Sequence, residues 1–114
     1  MDARAEKIRK GRQTRIEHNG KVFVVRRPTY WEASLLASEG GAHQMDILAK
    51  FVVGWERFAD ADLFPGGDTA PAEFSSELFV EWAQDNPEYW NPITSAISEE
   101  YKAYRERLEA AEKK

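Results

Sequence analysis

The chain must fold around an aromatic core, because it carries many large aromatic side chains and no residue that can cross-link it. Its 114 residues include 6 Phe, 4 Trp and 4 Tyr, and no cysteine. A chain of this length is one ordinary domain, which buries roughly two-thirds of the surface that its unfolded form exposes. The lack of cysteine excludes disulfide scaffolds, thiolate zinc sites and cysteine nucleophiles. We therefore expect a single domain held together by apolar packing.

Charge is distributed unevenly along this chain. Residues 1–27 contain nine Lys or Arg and three Asp or Glu, which gives 9 − 3 = +6, whereas residues 28–114 give 7 − 17 = −10. A basic segment on an acidic body is typical of interaction proteins, and nucleic acid is one candidate partner. The basic residues are Arg4, Lys7, Arg9, Lys10, Arg12, Arg15, Lys21, Arg26 and Arg27. Only Phe23 and Val24 interleave with them, so platforms for base stacking are lacking. A mobile cationic arm that contacts an acidic protein, or no partner at all, is at least as well supported.

The beginning of the chain predicts a tail followed by a β-hairpin. Residues 1–12 are polar and basic, with Ile8 as the one large apolar side chain after Met1, so we expect a flexible segment or a short helix that orders on a partner. Asn19-Gly20 lies between two short extended runs, and a type I′ turn needs two residues that tolerate positive φ. The pattern predicts a small hairpin at about 13–26, which ends before Pro28.

Four helices are predicted after the hairpin. Thr29 and Glu32 have the spacing of a capping box, and that helix is expected to stop at Gly40-Gly41. Helical spacing of apolar residues predicts a second helix over 43–57, although Gly54 is unfavourable inside a helix. A third begins at Ser75 or Ser76 and ends at 86–87. The last begins near 91–92 and is expected to fray beyond Leu108.

The resulting prediction is a mainly α fold, a four-helix globular domain with a small N-terminal β-hairpin. Residues 60–71 contain two prolines, paired glycines and three acids, and are predicted to be an irregular connection. The expected organisation is a flexible basic segment at 1–12, one mainly helical domain at 13–110 and a frayed tail at 111–114. No apolar run approaches the ~20 residues of a membrane span, and the start lacks the apolar region of a secretory signal, so a soluble intracellular protein is expected.

Candidate catalytic and metal sites fail on inspection. An EF-hand loop beginning at Asp60 would need an oxygen ligand at Phe64, glycine at Pro65 and glutamate at Pro71. The two histidines, His18 and His43, lack a set of ligands at metal-binding spacing, and no serine lies in a nucleophile elbow. We therefore expect no enzyme activity, no cofactor and no metal.

Acidic side chains at positions 77, 81 and 85 are spaced to share one helix face. Glycoside hydrolysis needs a carboxylate pair across a cleft, which a stripe on one helix does not supply. A solvated face is the simpler interpretation, and a docking face for a basic partner is the alternative.

Aromatic residues give the candidate partner-binding positions. Tryptophan and tyrosine are favoured at protein interfaces, where one end of the side chain stays hydrated. Two pairs flank predicted helix starts, and others follow helical spacing along the last helix. The candidates are Tyr30, Trp31, Trp55, Trp82, Tyr89, Trp90, Tyr101 and Tyr104. We expect Trp31, Trp55, Trp82 and the Tyr101/Tyr104 stripe to line a groove that binds helices, while core packing is the alternative for most of the tryptophans.

Short motifs over residues 20–110 resemble the tail assembly chaperones of long-tailed bacteriophages. The segment Phe51-Val52-Val53-Gly54-Trp55-Glu56 is followed by an acidic Pro-Gly-Gly loop and then by Phe74-Ser75-Ser76-Glu77-Leu78. That family has an apolar-Gly-Trp-acid segment, a variable loop and an apolar-Ser-x-Glu-Leu helix. The final helix, with Pro92 and Ile97, is also similar, whereas the basic N-terminal segment matches nothing in the family.

The resemblance implies a small, mostly helical, non-enzymatic protein that binds the tape measure protein and also the major tail tube protein during tail assembly. It also implies a place in the host cell cytoplasm and absence from the finished virion. Many such proteins are also made as a longer product by ribosomal frameshifting, and Lys113-Lys114 are compatible with a slippery codon pair. Two other functions stay open: a nucleic-acid-associated or regulatory phage protein that uses the basic arm, and a head–tail connector subunit.

Overall fold

A computed structural model describes residues 2–38 and 43–112, and it shows an α+β fold. Within these residues there are six α-helices and one three-stranded antiparallel sheet of order β1-β2-β3. The predicted mainly α, four-helix domain with only a small hairpin is therefore wrong. In chain order the elements are α1 (Ala3–Lys10), β1 (Gln13–His18), β2 (Lys21–Arg26), α2 (Tyr30–Ser38), α3 (Gln44–Phe51), β3 (Val52–Glu56), α4 (Asp60–Leu63), α5 (Ser76–Gln84), a 3₁₀ turn (Pro87–Tyr89) and α6 (Trp90–Glu112).

The hairpin forms as its turn residues predict. Asn19 has a φ of 52° and Gly20 a φ of 78°, which is the left-handed pair that a tight hairpin turn requires. The turn sets the register, so that His18 pairs with Lys21 and Gln13 pairs with Arg26. This register brings the residues just outside the strands, Arg12 and Arg27, together, and the Arg27 amide donates to the Arg12 carbonyl oxygen at 2.9 Å.

The third strand is the main departure from the prediction. The helix expected over 43–57 stops at Phe51, and Val52–Glu56 continue as β3, antiparallel to β2. Valine at 52 and 53 favours a strand, and pairing satisfies the backbone groups that the edge of β2 would otherwise leave unpaired. A Cβ added at Gly54 would lie 3.4 Å from the Cβ of Val24, so the small residue allows the two strands a close approach.

Two short helices were also not expected as ordered elements. In α1, the carboxylate of Asp2 accepts from the Arg4 amide at 2.8 Å, although the helix buries none of its side chains. The connection predicted to be irregular contains α4, where the Asp62 carboxylate accepts from the Ala59 amide at 2.8 Å. That hydrogen bond is the first cause of the lowered pKa of Asp62. Hydrogen bonds to these two carboxylates stabilise the short helices α1 and α4, neither of which has an apolar stripe along one face.

Other helix boundaries agree closely with the sequence. Ser75 caps α5 by accepting from the Leu78 amide, and Thr29 and Glu32 form the predicted capping box before α2. Helix α6 begins at residue 90 and runs to 112, past the predicted start of fraying. The predicted stop of α2 at Gly40-Gly41 and the final lysines at 113–114 lie outside the described residues.

The core is centred on Phe23, in the middle strand. Four aromatic ring centroids lie within 6.2 Å of its own, those of Phe58, Phe79, Trp82 and Tyr89. Trp55, the cross-strand partner of Phe23, stacks on Phe58 at 4.2 Å and donates from Nε1 to a backbone carbonyl at 2.9 Å. One face of the sheet is thus covered by aromatic rings from the loop after β3, from α5 and from the 3₁₀ turn.

Replacing the central ring is expected to destabilise the whole domain. Phe23→Ala should lower the free energy of unfolding by about 3–5 kcal/mol, because it leaves a cavity among four aromatic rings. Phe64→Ala is the matched control, since Phe64 is 51% exposed, and it should change stability by less than about 0.5 kcal/mol. Urea unfolding followed by tryptophan fluorescence measures both, and similar losses in the two variants would contradict this description of the core.

Candidate protein-binding surface

Three of the eight candidate aromatic residues lie in the core. Trp55, Trp82 and Tyr89 are buried, and each is in contact with the ring cluster around Phe23. Their side chains are therefore largely removed from the surface of the folded chain, although a small part of Trp82 lines a groove beside Phe64. The expected groove that includes Trp31 together with Trp55 and Trp82 does not form.

Three more candidates are partly buried on α6. Trp90 donates from Nε1 to the Ala83 carbonyl oxygen at 2.6 Å, which ties the start of α6 to α5. Tyr101 and Tyr104 lie 6.3 Å apart between ring centroids. The guanidinium of Arg27 sits 3.5 Å from the centroid of Tyr104, so this ring already has a cation on its face.

Tyr30 and Trp31 remain as an exposed pair at the start of α2. Their exposed fractions are 61% and 69%. The Tyr30 ring has the guanidinium of Arg105 at 5.2 Å, whereas no cation–π contact to Trp31 is found among the described residues. These two side chains are the ones whose exposure agrees with a partner-binding position, and their role in binding stays a prediction.

The start of α2 is held in place by Glu32. Its carboxylate accepts two hydrogen bonds from the Arg26 guanidinium, at 2.7 and 2.9 Å, and one from the Thr29 amide at 3.0 Å. Lys50 approaches to 3.5 Å. Hydrogen bonding to Arg26 is the largest cause that lowers the pKa of Glu32 to about 2. The bidentate pair joins α2 to the end of β2 and so fixes the position of Trp31.

A groove of about 510 Å³ opens beside Trp31, where α1 and the first turn of α2 meet the ends of the strands. We call it the arginine groove, and its principal residues are Arg9, Arg12, Gln13, Arg26, Trp31 and Glu32. None of the other seven candidate aromatic residues lines it. It combines three guanidinium groups, one carboxylate and one exposed indole.

Arg12 connects this groove to further positive charges. It lies opposite Arg27 at the open end of the hairpin. Burial lowers the pKa of the Arg27 guanidinium, and the neighbouring charges of Arg12 and Arg107 lower it further. The structure therefore places aromatic rings from α2 and α6 next to the basic segment, which the sequence alone did not indicate.

Part of this arrangement can be predicted from the sequence. The Asn19-Gly20 turn fixes the hairpin register, and extending that register by one pair beyond Gln13 and Arg26 places Arg12 opposite Arg27. The positions of Trp31 and Arg107 relative to Arg12 and Arg27 cannot be predicted in this way, because they depend on how α2 and α6 pack.

The acidic stripe lies on the surface of α5. Glu77, Glu81 and Asp85 are all exposed, as a solvated face predicts. Glu81 and Asp85 also border a smaller groove, of about 340 Å³, that includes Asp62 and Phe64. Helix α4 and the residue after it thus add a carboxylate and an exposed ring to the acidic side of the molecule.

Within residues 2–38 and 43–112, no cluster of three or more His, Cys, Asp or Glu side chains is arranged to hold a metal ion. In the same residues, no helix combines the length and the apolarity that crossing a membrane requires. Comparison of the chain with protein-family models, with curated proteins and with solved structures finds no match.

The Glu32 junction predicts a pH-dependent stability. Because folding lowers the pKa of Glu32 from 4.5 to about 2, its contribution is complete above pH 4.5 and is lost as the pH falls towards the folded-state value. Glu32→Gln should cost about 2 kcal/mol at neutral pH, which is less than the full shift implies because solvent screens the pair. Urea unfolding across this range should show the variant and wild type converging at low pH. Glu109→Gln, at an exposed position, should show no such convergence, and a cost that is independent of pH would contradict the assignment.

Proposed function

We propose that this protein is a tail assembly chaperone of a long-tailed bacteriophage, which binds the tape measure protein, and also the major tail tube protein, without catalysis. The observation that carries the proposal is the exposed Tyr30 and Trp31 pair beside a groove. Large exposed aromatic side chains next to one another mark protein-binding surfaces. The resemblance of residues 51–56 and 74–78 to that family supports the same function.

The physical demands on such a chaperone agree with this surface. A tape measure chain is long, helical and apolar, so its unassembled surface aggregates. A binding protein for it needs an exposed apolar anchor with a charged rim that keeps the complex in solution. Trp31 supplies the anchor, and the arginines around it together with the acidic body supply the rim. The motif residues have a different part, since Gly54 and Trp55 build the sheet and the core.

The proposed chaperone acts in the host cell cytoplasm during tail assembly. It leaves before the tail is complete, so that it is absent from the mature virion. Mass spectrometry of purified virions tests this point, and a stoichiometric amount of the chain in virions would favour a head–tail connector instead.

Trp31→Ala tests the proposed function directly. The tagged chain is co-expressed with the tape measure protein encoded at the same locus, and the soluble, co-purifying fraction of that protein is measured. We expect the wild type to retain it and Trp31→Ala to reduce the yield by about tenfold, the loss of a typical interface anchor. The variant should fold normally, because the indole is 69% exposed.

Phe64→Ala is the matched control, since Phe64 is another exposed aromatic side chain and lies outside the arginine groove. It should retain the tape measure protein at the wild-type level. Equal losses in both variants would indicate general stickiness rather than a site. No co-purification by the wild type would refute the chaperone function itself.

A further inference from the structure

The arginine groove contains more guanidinium groups than carboxylates in the part of the chain that the structure describes. Glu32 neutralises Arg26 through the bidentate pair, and Arg9 pairs with Glu6 at 3.0 Å. Among the described residues, Arg12 forms no ion pair within 4.0 Å. Within residues 2–38 and 43–112, one guanidinium at the groove is therefore left without a counter-charge.

Arg12 is also incompletely hydrogen-bonded. Its Nε is buried and finds no acceptor among the described residues. A buried donor without an acceptor costs free energy, and the cost is larger for a charged group. Arg12 lies opposite Arg27 at the open end of the hairpin. Burial lowers the pKa of the Arg27 guanidinium, and the charges of Arg12 and Arg107 lower it further. A bound anion would stabilise this concentration of positive charge.

From these observations we propose that the arginine groove binds an acidic segment of a partner protein, with a carboxylate on Arg12 and an apolar side chain against Trp31. Arginine presents a planar fork that pairs with a carboxylate through two parallel hydrogen bonds. The exposed indole beside it offers an apolar surface, over which no cation lies among the residues that the structure describes. That the partner is the tape measure protein rests on the proposed function, whereas the chemistry of the groove does not.

Charge favours a protein segment over a nucleic acid as the occupant. Proteins that bind single-stranded nucleic acid typically combine an extended cationic track with free aromatic faces for the bases. Here Tyr30 and Tyr104 each have a guanidinium over the ring, at 5.2 and 3.5 Å. The exposed Glu106 and Glu109 lie on the same helix as Arg107, and residues 28–114 carry 7 − 17 = −10. A long polyanion would meet these charges, whereas a short acidic segment in the groove would not.

Fluorescence anisotropy tests the groove without the tape measure protein. The probes are a fluorescein-labelled peptide of repeated Glu-Glu-Leu units, its counterpart with every Glu replaced by Gln, and a labelled oligothymidylate. Wild type should bind the Glu peptide at least about tenfold more tightly than the Gln peptide, the ratio expected for one charge-assisted pair. Equal affinity for the two peptides, no binding of the Glu peptide, or tighter binding of oligothymidylate would overturn the proposal, the last in favour of nucleic acid.

Arg12→Gln removes the charge while keeping most of the side-chain volume. It should weaken binding of the Glu peptide by about tenfold, and its melting temperature should equal or exceed that of wild type because repulsion and an unpaired donor are removed. Arg4→Gln is the matched control on the same basic segment, since the Arg4 side chain is 92% exposed, and it should bind within about twofold of wild type. Unchanged binding by Arg12→Gln would overturn the assignment.

Trp31→Ala keeps the test informative if Arg12→Gln folds poorly. It should weaken binding of the Glu peptide, whereas Phe64→Ala should not. Unchanged binding in both variants would overturn the contact with Trp31.

The failure of the groove assignment can be distinguished from the failure of the proposed function. Binding of the Glu peptide without co-purification of the tape measure protein would refute the chaperone function and leave the groove assignment standing. If co-purification survives Arg12→Gln and the Glu peptide does not bind, the groove assignment is refuted and the chaperone function stands.

Discussion

The packing of Phe23 against four surrounding aromatic rings is the interaction on which the rest of the structure depends. Phe23 lies in the middle strand, so its position requires β1 on one side and β3 on the other. Its ring contacts come from the loop after β3, from α5 and from the 3₁₀ turn before α6. Elements far apart in the sequence therefore share one contact centre. A chain without disulfides needs such a centre, because apolar burial supplies most of its stability.

The candidate site lies at the C-terminal end of β2, the strand that contains Phe23. Because β2 is fixed by its core residues, Arg26 and Arg27 at its end are fixed as well. Arg26 then positions α2 through Glu32, and Arg27 packs over Tyr104 of α6. The arginine groove is thus a consequence of how the sheet ends, and its charges are held by a rigid element. Sites on rigid elements lose less conformational entropy when they bind a partner.

The surface divides into two chemically different parts. The hairpin end and α1 carry the guanidinium groups and the exposed Trp31, while α5 and the loop before it carry exposed carboxylates and Phe64. This division retains the charge asymmetry of the sequence in three dimensions. For a protein proposed to bind an apolar client, separate charged regions favour solubility and orient the partner. The aromatic residues divide in the same way, since some build the core and others stay on the surface.

The sequence by itself determined the local features: the Asn19-Gly20 turn, the Thr29–Glu32 capping box, the Ser75 cap and the helical stripe of α6. Each depends on residues a few positions apart, and local hydrogen bonds decide such features. Only the tertiary structure decided that residues 52–56 form a strand, because their helical spacing is outweighed by pairing with β2, about thirty residues earlier in the chain. Tertiary packing likewise buried Trp55 and Trp82 while it left Trp31 exposed beside Arg12. An isolated pattern cannot settle burial, since the burial of a side chain depends on what the rest of the chain places over it.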